Sequence, residues 1–220
     1  MNNLSAKQPF ETIQWTLAHG KTAILVIDPQ NDFLHNEGQY AQAGVDISHM
    51  QKSIGPIKDL VGAARERNVP VIWTRHGFRD IRDAGVFMSL RPFLAEGGLR
   101  HGTWGYEVLE ELGALPGDWY VEKQRLSAFF NTNLELILKS LAVETLLICG
   151  VLTNQCVAAT SKDASFRDFK PIVVAEATGT TLPHLHLPAL EMIRVGWGEV
   201  RSLEATLKEI SELPSGNRNF

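Results

Sequence analysis

The feature that most constrains the fold is a continuous apolar run that ends in an acid. Residues 22–28 (TAILVID) are rich in β-branched side chains and do not alternate with polar ones. Such runs are typical of strands covered on both faces in parallel sheets, whereas strands with one solvated face alternate. Four further runs predict strands of the same kind: 69–74 (VPVIWT), 118–122 (DWYVE), 145–150 (TLLICG) and 171–175 (PIVVA).

Helical patterns lie between these predicted strands. The segment Thr132-Asn133-Leu134-Glu135 has the capping-box pattern, in which two side chains each satisfy a free backbone N–H at a helix start. Strands that alternate with helices predict βαβ crossovers and a three-layer α/β/α sandwich with a central, mostly parallel sheet. Four helices are predicted. Two are marked by apolar residues at helical spacing: Ile54, Ile57, Val61 and Ala64 in the first, and Leu134, Ile137, Leu138 and Leu141 in the second. The third begins at or just before Cys156 and runs to about Asp168, and the fourth is capped by Ser202 and runs through Ile210.

Length and composition bound the domain organisation and the partners. With 220 residues, 44% of them hydrophobic, we expect one domain over residues 1–220, in which residues 1–20 form an N-terminal extension. A net charge of −4 makes nucleic acid an unsuitable partner. Apolar runs are too short to cross a membrane, and the first 20 residues lack the pattern of a signal peptide. Two cysteines without a disulfide framework favour a cytoplasmic location.

Chemically versatile side chains follow the predicted strands. Ligands of open α/β sheets bind beyond the carboxyl ends of the strands, where Asp28, Lys123 and the turn before Cys156 should meet. Residues 76–106 have few regular signals and many Gly, Arg and Phe residues, which predicts an active-site loop region over this edge. A small-molecule site is therefore expected there.

Cys156 is the strongest nucleophile candidate. It follows a buried strand by a short turn, and a position at a helix N-terminus would favour the thiolate and lower the pKa of the thiol. The alternative is a cysteine that only packs in the core. Cys149, inside the strand, is expected to be such a core residue, and no disulfide is expected between the two.

Asp28 and Lys123 each have a structural alternative. A carboxylate at the end of a buried strand must be paired, hydrogen-bonded or functional, so Asp28 could also anchor a loop. Asp32, in polar loop sequence, is expected to be structural. Lys123 could be an ordinary solvated lysine. The argument for a site lies in the arrangement, because an acid, a cation and a thiol all fall at predicted strand ends.

The sequence favours neither a metal nor another cofactor. Neither an Asp-X-His triplet nor a Cys-X-X-Cys motif occurs in the chain. His184 and His186 are separated by one residue between two prolines, a spacing that could bind a metal but is typical of a surface loop. We therefore expect catalysis, if present, to need no metal.

Three motifs resemble the isochorismatase-like cysteine hydrolase superfamily: residues 26–33 (VIDPQNDF), Lys123, and residues 150–157 (GVLTNQCV). The resemblance runs from about residue 22 to about residue 196. It implies that Asp28 accepts the thiol proton, that Lys123 stabilises charge and that Cys156 forms a covalent intermediate. It also implies a cis peptide between Val151 and Leu152, an oxyanion hole formed by the backbone amides of Leu152 and Cys156, and a homo-oligomer, either a dimer or a tetramer.

Two further blocks resemble particular members of that superfamily. Residues 123–132 (KQRLSAFFNT) and 101–104 (HGTW) look like ureidoacrylate amidohydrolases, and residues 74–77 (TRHG) resemble biuret hydrolases. They imply hydrolysis of a C–N bond in a small amide or ureide. Two alternatives remain open: a vinyl-ether hydrolase, whose reaction needs the acid but no thiol, and a non-catalytic binding protein on the same fold.

Substrate contacts are harder to assign from sequence. Phe33 and Trp73 could wall the pocket, although core packing explains either equally well. Gln155 replaces a common aliphatic residue beside Cys156. An arginine fork would suit a carboxylate or ureido oxygen, and Arg75 is the main candidate. The other arginines near the expected edge are Arg79, Arg91 and Arg125.

Overall fold

A computed structural model describes residues 13–215. Among these residues, six parallel strands form one sheet in the order β3-β2-β1-β4-β5-β6. Helices flank the sheet, which confirms the predicted three-layer fold class. The strands are β1 Thr22–Ile27, β2 Val71–His76, β3 Trp119–Lys123, β4 Thr145–Val151, β5 Lys170–Gly179 and β6 Glu199–Arg201. The α-helices are α1 Asn31–Leu34, α2 Gln39–Gln42, α3 Ser48–Gln51, α4 Ile54–Glu66, α5 Phe87–Leu90, α6 Leu134–Ser140, α7 Ala158–Ser165, α8 His186–Gly196 and α9 Leu203–Glu212.

Strand β1 lies at the centre of the sheet and has no exposed residue. Ile24 and Val26 pack into the apolar core on one face, and Ala23, Leu25 and Ile27 pack into the core on the other. This burial on both faces is the physical reason for the unbroken apolar run in the sequence. No described helix is long and apolar enough to cross a membrane.

Strand boundaries differ from the sequence prediction by one residue at most in β1, β3 and β4, but β5 continues to Gly179, four residues beyond its predicted end. Strand β2 begins at Val71 and continues to His76, two residues beyond the predicted end, and His76 pairs with Lys123 of β3. Strand β6 was not predicted, because three residues at the sheet edge are too few to produce a periodic signal. It pairs with β5 between Ile172 and Val174.

Helix ends confirm one capping prediction and correct the other. The Ser202 hydroxyl accepts a hydrogen bond from the Ala205 amide at the start of α9. At α6 the reciprocal capping box is not formed. The Thr132 hydroxyl accepts from the Leu134 amide, but Glu135 forms ion pairs with Lys139 and Arg167. The box is out of register, because the N-cap residue of α6 is Asn133 and not Thr132.

The region 76–106 folds into short helical turns rather than an irregular loop. It contains α5 and 3₁₀ turns at Ile81–Ala84, Pro92–Ala95 and Trp104–Tyr106. The buried carboxylate of Asp32 holds this region in place, because it accepts a hydrogen bond from the Leu99 amide at 2.6 Å. The same carboxylate accepts a second hydrogen bond from the Gln39 amide of α2, at 3.0 Å. The structural role expected for Asp32 is consistent with these contacts. The region is therefore held at the carboxyl edge of the sheet.

Candidate active site

The site lies where β1 and β4 end side by side. In this strand order the connections run outward in opposite directions from β1 and β4, and such a switch point opens a crevice beyond the strand ends. Gly150 permits the close approach of the two strands, because its φ is +106° and a Cβ there would overlap the Ile27 backbone. The next peptide bond, Val151–Leu152, is cis.

Cys156 lies in a π-helical turn, Thr153–Val157, that joins β4 to α7. The predicted helix thus begins close to Cys156 and ends at Ser165, three residues before the expected end. The Leu152 carbonyl accepts hydrogen bonds from the Gln155 and Val157 amides, which closes the turn. Leu152, just before the turn, and Cys156, within it, are both buried. The hydrogen bonds from their backbone amides to a substrate oxyanion stay a prediction.

The structure brings Asp28, Lys123 and Cys156 together. The Lys123 Nζ atom lies 2.7 Å from Asp28 Oδ2 and 3.4 Å from Cys156 Sγ. It also donates a hydrogen bond to the Arg125 carbonyl at 3.0 Å. All three functional side chains are buried. Lys123 is therefore not the solvated lysine that was the structural alternative.

Thr74 of β2 fixes the orientation of the Asp28 carboxylate. Its hydroxyl donates to Asp28 Oδ1 at 2.6 Å and accepts from the Asp28 amide at 3.0 Å. Asp28 has a positive φ of 48°, so its backbone leaves the strand direction at this point. The sequence placed Thr74 near the ligand edge but gave no sign of this contact, which depends on the register between β1 and β2.

The thiol of Cys156 is stabilised in its protonated form. Its pKa is raised to about 12, chiefly by burial; Lys123 lowers the pKa, while the Asp28 carboxylate raises it and accepts the thiol hydrogen bond. The expectation of a lowered pKa at a helix start is therefore wrong, because burial and the nearby carboxylate outweigh the effect of Lys123. Burial also opposes charge on Lys123, but Asp28 and Cys156 outweigh it and raise the Lys123 pKa.

These shifts define the charge state of the resting site. A carboxylate, an ammonium and a neutral thiol have no net charge, which limits the cost of burying them together. A thiolate in addition to the carboxylate would leave one uncompensated negative charge. Cys149 has no such partners. Burial alone raises its pKa, and its Sγ atom lies 4.0 Å from the Leu25 carbonyl oxygen, as expected of a core cysteine.

Two predicted substrate contacts have other partners in the structure. The Trp73 indole is buried in the core and donates to Asp118, which precedes β3 at the opposite edge of the sheet. Arg75 extends from the side of β2 opposite Thr74, and its guanidinium is already paired with Glu107 and Glu122. Alternation along a strand places neighbouring side chains on opposite faces, so Thr74 and Arg75 cannot both face the site.

The other two tentative contacts have different environments. Phe33 is buried in the core, with its ring centroid 4.7 Å from that of Tyr40. Gln155 is half-buried beside Cys156 and lines a surface groove between α7 and α8. Both remain candidates for the pocket wall.

Among the remaining arginines, neither Arg91 nor Arg125 has a carboxylate partner among the described residues, and Arg91 donates to the Leu90 carbonyl at 2.7 Å. The Arg91 guanidinium lies 5.9 Å from the centroid of the Phe87 ring. Arg79 pairs with Asp83, and Arg125 donates to the carbonyl oxygens of Asp83 and Gln124. Burial raises the pKa of the neighbouring Tyr40; Arg91 opposes this effect and the Asp28 carboxylate adds to it. Arg91 and Tyr40 therefore lie on the loop side of the site.

One set of side chains in the described residues could hold a metal ion. Ligand atoms of Asp28, His76 and Cys156 lie within 4.8 Å of one another. The ammonium of Lys123, however, already contacts the Asp28 and Cys156 ligand atoms, and a second cation there would be repelled. His184 is exposed, and His186 Nδ1 lies 3.0 Å from Thr153 Oγ1. Metal independence stays a prediction.

Comparison with known proteins gives consistent results. The model of the isochorismatase domain matches residues 22–205. A ureidoacrylate amidohydrolase from Agrobacterium fabrum is 34% identical over 177 residues, which cover 74% of this chain and 78% of the relative. A cysteine hydrolase from Pseudomonas syringae pv. phaseolicola superimposes with a TM-score of 0.84 at 28% identity, over 92% of this chain and 98% of that one. N-carbamoylsarcosine amidase from Thermoplasma acidophilum superimposes with a TM-score of 0.69 at 25% identity, over 84% and 97%.

Proposed function

We propose that this chain, which belongs to the isochorismatase family, is a cysteine-dependent amidohydrolase that cleaves a C–N bond of a small ureido or carbamoyl compound. One observation carries the proposal: Lys123 Nζ lies between the Asp28 carboxylate and the Cys156 thiol, in contact with both and without exposure to solvent. The amidohydrolase names of its relatives support hydrolysis of a C–N bond.

In the first step, the Cys156 sulfur attacks the carbonyl carbon of the substrate while Asp28 takes the thiol proton. The S–C bond forms, and the electron pair of the C=O bond moves to the oxygen. Transfer of the proton to Asp28 leaves the side chains of the site with one net positive charge, on Lys123, which balances the negative charge on the substrate oxygen. Backbone amides of Leu152 and Cys156 would stabilise that oxyanion.

In the second step, the oxyanion re-forms the C=O bond and the C–N bond breaks. Asp28 returns its proton to the leaving nitrogen, which departs as ammonia or an amine and leaves an acyl or carbamoyl group on sulfur. Water then attacks this intermediate with Asp28 as base, and the thiol is regenerated. Lys123 keeps its proton throughout, and it stabilises either the Asp28 carboxylate or the Cys156 sulfur when that group carries a negative charge.

The substrate class follows from the surroundings of the triad. A ureidoacrylate amidohydrolase and an N-carbamoylsarcosine amidase are both similar to this chain, and both names describe ureido or carbamoyl compounds. Arg91 offers a guanidinium without a carboxylate partner among the described residues, which supports a substrate with a carboxylate or a further carbonyl oxygen. Vinyl-ether hydrolysis would leave the contact between Lys123 and the thiol without a use.

A direct assay tests the proposal. Purified protein is given ureidoacrylate, biuret or nicotinamide at subsaturating concentration, and ammonia release is followed. We expect a higher kcat/KM for the two ureides than for nicotinamide. Denatured, quenched protein should carry an acyl or carbamoyl mass adduct on the peptide that contains Cys156. A preference for nicotinamide would contradict the substrate class, and turnover without any adduct or dependence on Cys156 would contradict the mechanism.

A further inference from the structure

His76 is the last residue of β2, opposite Lys123 in the sheet register. Its backbone is fixed on both sides by the buried side chain of Gln30. The His76 amide donates to Gln30 Oε1 at 2.7 Å, and Gln30 Nε2 donates to the His76 carbonyl at 3.0 Å. Gln30 Nε2 also donates to the Tyr106 carbonyl at 2.9 Å, which joins this strand end to the loop region. The imidazole is therefore projected from a rigid support.

The His76 ring is buried beside the reacting groups without a well-aligned hydrogen bond of its own. It has no exposed surface, and among the described residues it approaches a hydrogen bond only with the Gln124 backbone, at a geometry too poor for a full one. One of the nitrogens lies within 4.8 Å of both an Asp28 carboxylate oxygen and Cys156 Sγ. Its ring packs against Phe78 and Phe87, with centroid distances of 5.2 and 4.9 Å.

A purely structural role does not account for this arrangement. Buried polar groups are hydrogen-bonded in the great majority of cases, because an unpaired donor or acceptor costs free energy. A phenylalanine or leucine would fill the space between Phe78 and Phe87 without that cost. A role as metal ligand conflicts with the ammonium of Lys123, which occupies the same small volume.

Groups that face the imidazole hold it in the neutral state. Burial, followed by the charges of Lys123 and Arg125, lowers the pKa of His76 well below its usual value, against the opposing effect of the Gln124 backbone. A neutral imidazole has one N–H donor and one acceptor nitrogen. The two nitrogens point in different directions, so only the one that faces Asp28 and Cys156 can reach a substrate there, where an amide or ureido group offers both N–H donors and a carbonyl acceptor.

We propose that His76 is a substrate-binding residue whose ring nitrogen beside Asp28 and Cys156 hydrogen-bonds the amide or ureido group that is held against Cys156. This inference rests on the proposed function for the identity of the nucleophile, but it adds the residue that recognises the amide. Lys123 and Asp28 act on the sulfur, whereas His76 acts on the substrate.

Alkylation of Cys156 tests this without any need for turnover. Iodoacetamide carries an amide group, whereas iodoacetonitrile is of similar size and has no N–H group. The rate of each reagent at Cys156 is followed by mass spectrometry of the Cys156 peptide in wild type, His76→Phe and His76→Gln. His101→Phe is the matched control, since His101 stacks on Tyr106 at the same edge but takes no part in the proposed site.

The ratio of the iodoacetamide rate to the iodoacetonitrile rate should fall about 10-fold in His76→Phe, the size expected for lost hydrogen bonds. His76→Gln, which keeps a donor and an acceptor, should retain most of the ratio, and His101→Phe should leave it unchanged. With ureidoacrylate, the His76→Phe variant should show its main loss in KM rather than kcat. If the Phe variant does not fold, His76→Leu replaces it in the same comparison.

Different results overturn different parts of the argument. Equal slowing of both reagents would mean that His76 acts on the thiol or on the fold, and an unchanged ratio would mean that it binds no amide; either result contradicts the inference. Lack of turnover of ureidoacrylate by the wild type, together with the expected alkylation ratio, would contradict only the substrate proposed above. Failure of both reagents to label Cys156 would overturn the nucleophile and His76's role with it.

Discussion

The ammonium of Lys123 lies 2.7 Å from the carboxylate of Asp28, and neither side chain has exposed surface. An ion pair of this kind is expensive to desolvate, so its presence at the end of a central strand calls for a further role. The nearby Cys156 thiol supplies one, because its proton can pass to Asp28 while Lys123 stays charged. Asp28 raises the Cys156 pKa and Lys123 lowers it, so replacement of these two residues should shift that pKa in opposite directions.

Replacement of Asp28 by Asn should separate thiol acidity from activity. The Asp28 carboxylate raises the Cys156 pKa, so its removal should lower that pKa and let thiolate form at lower pH. Turnover should nevertheless fall by at least about 100-fold, because the proton acceptor is lost. Thiolate ultraviolet absorbance against pH measures the first effect, and ammonia release measures the second. Asp46→Asn, at an exposed site, is the control. A Cys156 pKa that rises in Asp28→Asn would contradict this coupling.

Replacement of Lys123 by Met should act in the opposite direction on the thiol. Lys123 lowers the Cys156 pKa, so the variant should be still harder to deprotonate, and turnover should fall at least about 100-fold. Loss of one partner also leaves the Asp28 carboxylate buried and unpaired, which should cost about 3–5 kcal/mol in the free energy of unfolding. Denaturant titration measures this cost.

The exposed ion pair of Lys139 with Glu135 provides a matched comparison. Lys139→Met should change the free energy of unfolding by no more than about 1 kcal/mol. The double variant Asp28→Asn/Lys123→Met should regain part of the stability that Lys123→Met loses, yet remain inactive. Equal costs for Lys123→Met and Lys139→Met would argue against a desolvated pair.

The two cysteines should differ completely in their effect on activity. Cys156→Ala should abolish ammonia release, whereas Cys149→Ala should keep most of it and lose stability through the smaller side chain in the core. Both are buried, but Cys156 alone contacts Lys123. An inactive Cys149 variant with an active Cys156 variant would reverse the assignment.

Dialysis against a chelator should leave turnover unchanged. Lys123 already places a positive charge on the carboxylate and the thiol, which is the electrostatic task that a metal would otherwise perform. The assay compares dialysed protein with and without added zinc or manganese. Activity that is lost on dialysis and restored by either ion would place a metal at Asp28, His76 and Cys156.

Asp32 should contribute to stability rather than to chemistry. Asp32→Ala removes the acceptor for two backbone amides and should lower the free energy of unfolding by about 3 kcal/mol, through loss of charge-assisted hydrogen bonds. Asp59→Ala, on the exposed surface of α4, should change it by less than about 0.5 kcal/mol. Denaturant titration of both variants gives the comparison. A fully stable Asp32→Ala variant would show that the loop region is held by other contacts.

Much of the site could be predicted because the signals for it are local. The run that forms β1 is apolar on both faces, so its strand identity and burial can be read directly from residue order. Parallel strands bring their carboxyl ends to one edge, so side chains that follow β1, β3 and β4 must lie near one another. The convergence of Asp28, Lys123 and Cys156 follows from that rule. The motifs around these residues indicated the family.

Other features depend on which side chains meet across the sheet. Arg75 and His76 are adjacent in sequence, and both were near the expected ligand edge. Only the register of β2 with its neighbours, and the carboxylates of Glu107 and Glu122, direct Arg75 away from the site and leave His76 beside it. The fixed position of His76 likewise depends on Gln30, 46 positions away along the chain.

The sequence by itself determined the parallel sheet, its five longer strands and the identity of the three central side chains, because periodicity and residue type report burial and chemistry locally. Only the tertiary structure decided the ionisation of the thiol, the partners of the arginines and the burial of an unpaired imidazole beside Cys156. Those properties depend on desolvation and on charges brought together from distant parts of the chain, and neither can be read from the order of residues.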